Sequence, residues 1–126
     1  MRTMAGMVLG LVMLVPLPAM AAELVMLHQP GCAWCLRFEA EIGAAYPKTQ
    51  QAAVAPLRRV DITKAWPEDL RAVAPERFTP SFVLVHDGRE VSRMRGYAGD
   101  QFFWFLLDEM IAKLPPDAAT PLSPEG

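Results

Sequence analysis

The sequence predicts an α/β domain of element order βαβαββα, with a central mixed four-stranded sheet flanked by helices. Three observations carry that expectation. An unbroken apolar run gives way to a helical period and then to a second strand-like run. Further on, the dipeptide Asp87-Gly88 joins two more strand-like segments, and a stretch with apolar residues at helical spacing follows them.

Taken in order, Leu24-Val25-Met26-Leu27-His28 is apolar without alternation, as a strand buried on both faces requires, and Gln29-Pro30-Gly31 ends it. From Cys35 the period changes. Leu36, Ala40, Gly43 and Ala44 set against Arg37, Glu39 and Glu41 predict a helix to Tyr46, stopped by Pro47. Lys48 to Pro56 reads as an irregular connection, and Leu57 to Ile62 as the second strand, so that strand, helix and strand form a right-handed unit with parallel strands. Pro67 to Val73 is a short helix with proline at its first turn and acids at Glu68 and Asp69. Ser81 to His86, Asp87-Gly88, and Glu90 to Arg95 form a hairpin whose second arm, carrying Arg93 and Arg95 with imperfect alternation, is an exposed edge strand guarded by charge. Gly96 and Gly99 break the chain before a last helix, Asp100 to Leu114, in which Phe103, Leu106, Leu107, Met110 and Leu114 recur at helical spacing.

The 126 residues hold one such domain, at 22–114. Residues 1–21 read as a secretory signal peptide. Arg2 gives a positive start, Met4 to Leu17 is apolar, and Ala19-Met20-Ala21 supplies the small residues of a cleavage site. The run is short for a membrane span of about 20 residues, although an uncleaved anchor is the alternative; after cleavage no stable membrane insertion is expected. Pro115, Pro116, Pro121 and Pro124 mark 115–126 as a disordered tail. Removing the leader takes away one cation and moves the formal charge from −2 to −3. A mildly acidic domain without a basic run lacks the footprint of a nucleic-acid binder. Export places the domain where glutathione and thioredoxin do not keep thiols reduced.

Cys32-Ala33-Trp34-Cys35 carries the chemistry. These are the chain's 2 cysteines, placed where a strand passes into a helix. A bridge closing so short a loop removes little chain entropy, so its presence points to redox chemistry rather than to scaffolding. Unpaired amides at a helix start favour the thiolate, which makes Cys32 the nucleophile and Cys35, a turn deeper, the resolving thiol. His28, ending the first strand, has two readings: a proton carrier or thiolate partner, and a polar strand end in solvent. Phe102, Trp104 and Phe105 are either packing or a partner surface, and Arg58, Arg59, Arg89, Arg93 and Arg95 either solvated charges or an anion site.

These residues resemble the thioredoxin family: the Cys32–Cys35 motif between first strand and helix, with Thr79-Pro80 opening the first arm of a later hairpin. More narrowly, Gln29 to Cys35, Glu41-Ile42-Gly43, Tyr46-Pro47-Lys48-Thr49 and Ala55 to Ile62 are similar to the periplasmic thioredoxin-like regulatory proteins of bacterial sulfur-oxidation (Sox) systems. The resemblance implies the minimal thioredoxin-like fold, since no extra strand and helix precede Leu24. It implies a cis Pro80 facing the dithiol, Thr79 and Pro80 holding an extended peptide, and Trp34 on the rim as a lid that shapes docking. It also implies thiol–disulfide exchange without a cofactor. The expected partners are a protein with a redox-active cysteine and a membrane thiol transporter that supplies electrons in the periplasm. The runners-up are a disulfide oxidase or isomerase and a non-catalytic, redox-gated binding module. Two departures stand out: Met26 occupies the place of the family's buried aspartate, and Trp34 that of the proline before the second cysteine. A zinc site of Cys32, Cys35, His28 and His86 is disfavoured, because that fold sends His86 to the far end of the sheet; no metal is expected.

Overall fold

The structure, a computed structural model, describes residues 10–14 and 22–119. Its elements are β1 (Glu23–His28), α1 (Ala33–Phe38) continued by a π-helical segment (Glu39–Gly43), a 3-10 turn (Tyr46–Lys48), α2 (Gln50–Val54), β2 (Leu57–Asp61), a second 3-10 turn (Glu68–Leu70), β3 (Ser81–His86), β4 (Arg89–Arg95) and α3 (Asp100–Ile111). The sheet order is β2-β1-β3-β4. β1 runs parallel to β2, with Met26 opposite Arg59, while β3 is antiparallel to both β1 and β4. This is the mixed four-stranded sheet of a thioredoxin-like α/β fold.

The unbroken apolar run of β1 is explained by its central position. Leu24 and Met26 face one hydrophobic cluster with Phe38, Ile42, Tyr46, Phe82, Phe103 and Leu107, and Val25 and Leu27 face another with Val60, Leu70, Val73, Val83 and Val85. Helices cover the first face, and the segment between β2 and β3 covers the second. On the helical face the rings of Phe38, Phe82 and Phe103 lie 4.7–5.1 Å apart, at tilted or edge-on angles that suit aromatic quadrupoles.

At Asp87 and Gly88 φ is 53° and 73°, the left-handed pair that a tight hairpin between twisted strands needs. The imperfect alternation of β4 has a structural cause. Leu84 faces Ser92 while Val85 faces Glu90, so Val91 is an extra, bulged residue.

The expected single helix from Cys35 to Tyr46 is instead α1, a π-helical segment and a 3-10 turn. Gly43 allows Glu39 to fold back over the last of the wide turns, where a Cβ would collide with the Glu39 carboxylate. Part of the expected irregular connection is helical as well. Thr49 caps α2, its hydroxyl accepting from Ala52 N–H at 3.2 Å and donating to the Tyr46 carbonyl at 2.7 Å. Tyr46 is fully buried and donates to the Ala55 carbonyl at 2.6 Å, and its desolvation raises the phenol pKa above the ordinary value.

The signal segment expected at 1–21 lies outside the described residues except for 10–14, which have no regular secondary structure. Among the described residues no helix is long and apolar enough to cross a membrane. Of the tail, Pro115 to Ala119 form a turn in which the amides of Ala118 and Ala119 donate to the Pro115 carbonyl, and both alanines pack against the helical-face cluster. Residues 120–126 lie outside the described residues.

Candidate active site

The turn Gln29-Pro30-Gly31 carries the chain from β1 into α1, with Gly31 at φ 77°, a region open chiefly to glycine. Cys32 then takes the N-cap position. Its Sγ accepts from the Cys35 N–H at 3.1 Å, and the two cysteines are joined by a disulfide with their Cα atoms 5.2 Å apart. Cys35 is buried at 6% exposure while Cys32 is half-buried. The Cys35 amide is thus aimed at Cys32 Sγ, the sulfur of the less covered of the two cysteines.

Two cavities lie at the Cys32–Cys35 motif, one lined by both cysteines and the other by Trp34 between them. The first, of about 260 Å³, is lined by Met26, His28, Cys32, Cys35, Glu39 and Arg59 among others. Arg59 reaches it from β2 and donates to both oxygens of Glu39, at 2.5 and 2.8 Å. His28 shares this cavity with both sulfurs, and Met26, 1% exposed, floors it with an apolar side chain.

The second cavity is a groove of about 240 Å³ between Trp34 and the loop that opens β3, lined by Phe78, Thr79, Pro80 and Tyr97. The Thr79-Pro80 peptide is cis. The Gln29 amide donates to the Thr79 hydroxyl at 2.9 Å and so ties this loop to the turn before Cys32. Trp34 and Phe78 are both more than half exposed. An acid meets the backbone of Phe78 directly, and another reaches Trp34 through Arg37. Glu76 accepts from the Phe78 and Arg77 amides at 3.2 and 3.1 Å, and from Arg95 Nε at 2.7 Å. Its carboxyl is held below its ordinary value by the Phe78 amide first and by burial-opposed contact with Arg95 next. On the other side the Arg37 guanidinium lies 5.3 Å over the Trp34 ring and donates to Glu41 at 2.8 Å, while the Tyr97 hydroxyl donates to the second Glu41 oxygen. Those hydrogen bonds, Arg37 first, hold the Glu41 carboxyl below its ordinary value, and burial together with Glu41 raises the Tyr97 phenol.

The structure therefore places His28 in one cavity with Cys32 and Cys35, and Thr79 and Pro80 in a groove with Trp34, which lies between the two cysteines in the chain. His86 sits at the other end of the sheet, because the antiparallel register pairs Val85 with Glu23 at the start of β1. Arg58 pairs with Glu23 and Asp69 and Arg59 with Glu39, while Arg93 and Arg95 share Glu76, so these charges meet carboxylates rather than forming one anion site. Trp104 stacks on Tyr46 at 6.0 Å, and Phe102 and Phe105 are exposed. Glu39, Glu41, Glu76, Phe78 and Tyr97 enter the site without having been singled out as site residues in the sequence, where Glu39 and Glu41 marked only a helix face and a family motif. For the Arg37–Glu41 contact the signal was present, since opposite charges four apart on a helix meet.

A dithiol bridged across the first turn of a helix, on a sheet of this order, defines a thiol–disulfide oxidoreductase of thioredoxin-like fold. Comparison with solved structures bears on which one. The reduced form of periplasmic thioredoxin SoxS from Paracoccus pantotrophus matches with a TM-score of 0.70 and 39% sequence identity, over 73% of this chain and 97% of that one. Fasciola hepatica thioredoxin matches at a TM-score of 0.55 and 21% identity, over 73% and 83% of the two chains, a likeness of fold alone. No family model and no curated protein matches the sequence. The chain belongs to the thioredoxin family and is similar to its periplasmic SoxS member.

Proposed function

We propose that the protein is an exported reductant that clears a disulfide or a blocked thiol from a partner protein of bacterial sulfur oxidation, working in the periplasm after loss of a signal peptide at 1–21. The observation that carries this reading is the 39% identity to periplasmic SoxS over nearly all of that chain, with an accessible Cys32 beside a covered Cys35. The reaction begins with the Cys32 thiolate attacking the partner's disulfide, forming a mixed disulfide and releasing one partner thiolate. The Cys35 thiolate then attacks Cys32 Sγ and releases the second, so two electrons pass to the partner and the Cys32–Cys35 bridge closes. Trp34, Thr79 and Pro80 receive the partner's extended segment, and His28, in the cavity with both sulfurs, is the candidate proton or thiolate partner.

Outside the cytosol a dithiol remains a reductant only if it is recharged, and a membrane thiol transporter is the electron source this reading requires. The pair is then reduced at rest in cells. Thiol trapping in acid-quenched cells followed by a gel shift reads its state. Loss of the transporter should leave the pair oxidised; a pair already oxidised in wild-type cells whose partner is active would favour a disulfide oxidase or a docking module.

A further inference from the structure

We infer that Glu41 is a positioning residue for exchange with protein disulfides: through Arg37 it fixes Trp34 as one wall of the groove that also holds Thr79 and Pro80, and so sets how tightly a partner's polypeptide docks. The inference rests on the reading of a protein disulfide as substrate. Trp34, Arg37 and Glu41 follow one another at spacings of three and four residues and so lie along one helical stripe. Each Glu41 oxygen has a separate donor. Oε1 takes Arg37 Nε at 2.8 Å, and Oε2 takes the hydroxyl of Tyr97, a residue that follows β4. Arg37 in turn lies within stacking range of the indole, at 5.3 Å.

An exposed ion pair alone holds a side chain weakly. Here the far end of the chain of contacts is anchored. Tyr97 is 6% exposed and meets Phe38 edge-on at 5.6 Å, within the aromatic cluster on the helical face of the sheet. Tyr97 also lines the groove opposite Trp34. Glu41 therefore links Arg37, which lies over Trp34, to Tyr97 beyond the end of β4, and Trp34 and Tyr97 both line the groove. With Glu41 neutral, Arg37 loses its tether and Trp34, already more than half exposed, its fixed orientation. The sulfur chemistry at Cys32 is untouched by that change. What changes is the surface against which a folded or extended partner must fit.

The test compares wild type, Glu41→Gln, Trp34→Ala and the double variant in reduction of insulin disulfides with dithiothreitol recharging the dithiol, and, as pre-reduced protein freed of dithiothreitol, in the single-turnover rate with the small disulfide 5,5′-dithiobis(2-nitrobenzoate). Glu41→Gln should raise KM for insulin about two- to fivefold, the factor equivalent to an exposed cation–π contact, with the effect in KM and not in kcat and with no change toward the small disulfide. Trp34→Ala should raise it at least as much, and the double variant no further than Trp34→Ala alone, because Glu41 acts through that ring. Tyr97→Phe, which removes the hydroxyl and keeps the buried ring, should repeat the Glu41→Gln pattern. Losses in the double variant that multiply, equal slowing with the small disulfide, or an unchanged KM in Glu41→Gln would each overturn the inference. Failure of wild type to reduce insulin while it still reduces the small disulfide would remove the protein-substrate reading itself, and this one with it.

Discussion

The two sides of the disulfide are built from different materials. Behind it, the cavity holds a histidine end of β1 and the Glu39–Arg59 pair above an apolar floor at Met26. In front, the groove is walled by Trp34, Phe78 and Tyr97, with the cis Thr79-Pro80 peptide along its edge. The first presents charged and polar groups beside both cysteines, whereas the second presents the aromatic residues Trp34, Phe78 and Tyr97. Charge near the sulfurs should govern electrons, and shape in front of them should govern partners. The two functions are separable because Cys32 and Cys35 line the first cavity, whereas the groove is joined to the motif through Trp34.

The largest effect falls on the bridge that both sides share. Cys32→Ser should abolish turnover of protein disulfides, since no accessible thiolate remains to attack. Cys35→Ser should attack once and stay linked, because nothing expels the mixed disulfide. Mass spectrometry of complexes trapped by Cys35→Ser in cells would identify the partner. Stable adducts through Cys35 in the Cys32→Ser protein, with none through Cys32 in the other, would reverse the roles.

How much of this could be read from the sequence follows from the distance between the groups involved. The cysteines, three residues apart, and the Asp87-Gly88 turn are local, and a local pattern has few readings. The unbroken run of β1 announced burial on both faces, which the sheet order explains. By contrast, α2 went unread because a five-residue helix shows little period, although Thr49 in front of it was a usable cap signal. The bulge at Val91 appeared in the sequence only as faulty alternation. In the site, Glu39 meets Arg59 across 20 residues and Glu41 meets Tyr97 across 56, pairings that only the fold creates. The cysteines show what chemistry occurs; the acids that tune each side are visible only once strands and helices have been brought together.

A smaller effect should separate the two sides. In Glu39→Gln the Arg59 charge loses its compensating carboxylate while still lining the cavity with Cys32 and Cys35. An unbalanced cation stabilises thiolate, and stabilising the reduced form makes the pair more oxidising. Because Glu39 and Arg59 are each more than a third exposed, solvent screening limits the gain, and the potential should rise by about 10–20 mV. Equilibration with glutathione buffers and a gel shift would measure it. KM for insulin should stay at its wild-type value, in contrast to Glu41→Gln. A potential that does not move, or a KM that does, would merge the two sides into one.

The smallest effect concerns the wall of the groove opposite Trp34. Glu76 holds the Phe78 loop by accepting from two backbone amides and from Arg95, and those contacts place its carboxyl below the ordinary value in the folded protein. In the unfolded chain the same carboxyl titrates in the usual glutamate range. The unfolded state therefore takes up the proton first as pH falls, which draws the equilibrium toward it. The stabilisation from Glu76 is complete above the ordinary glutamate pKa and fades as pH drops through the lowered folded value. Urea denaturation at neutral pH and again at about pH 3, below that ordinary range, should show wild type losing more stability than Glu76→Gln over the same interval. Glu76→Gln should be the less stable of the two at neutral pH, with the gap narrowing in acid. Parallel pH dependence in the two proteins would mean that Glu76 does not anchor the Phe78 wall through its charge, and the loop would then be held by the Ser81 hydroxyl, which donates to the Phe78 carbonyl at 2.7 Å.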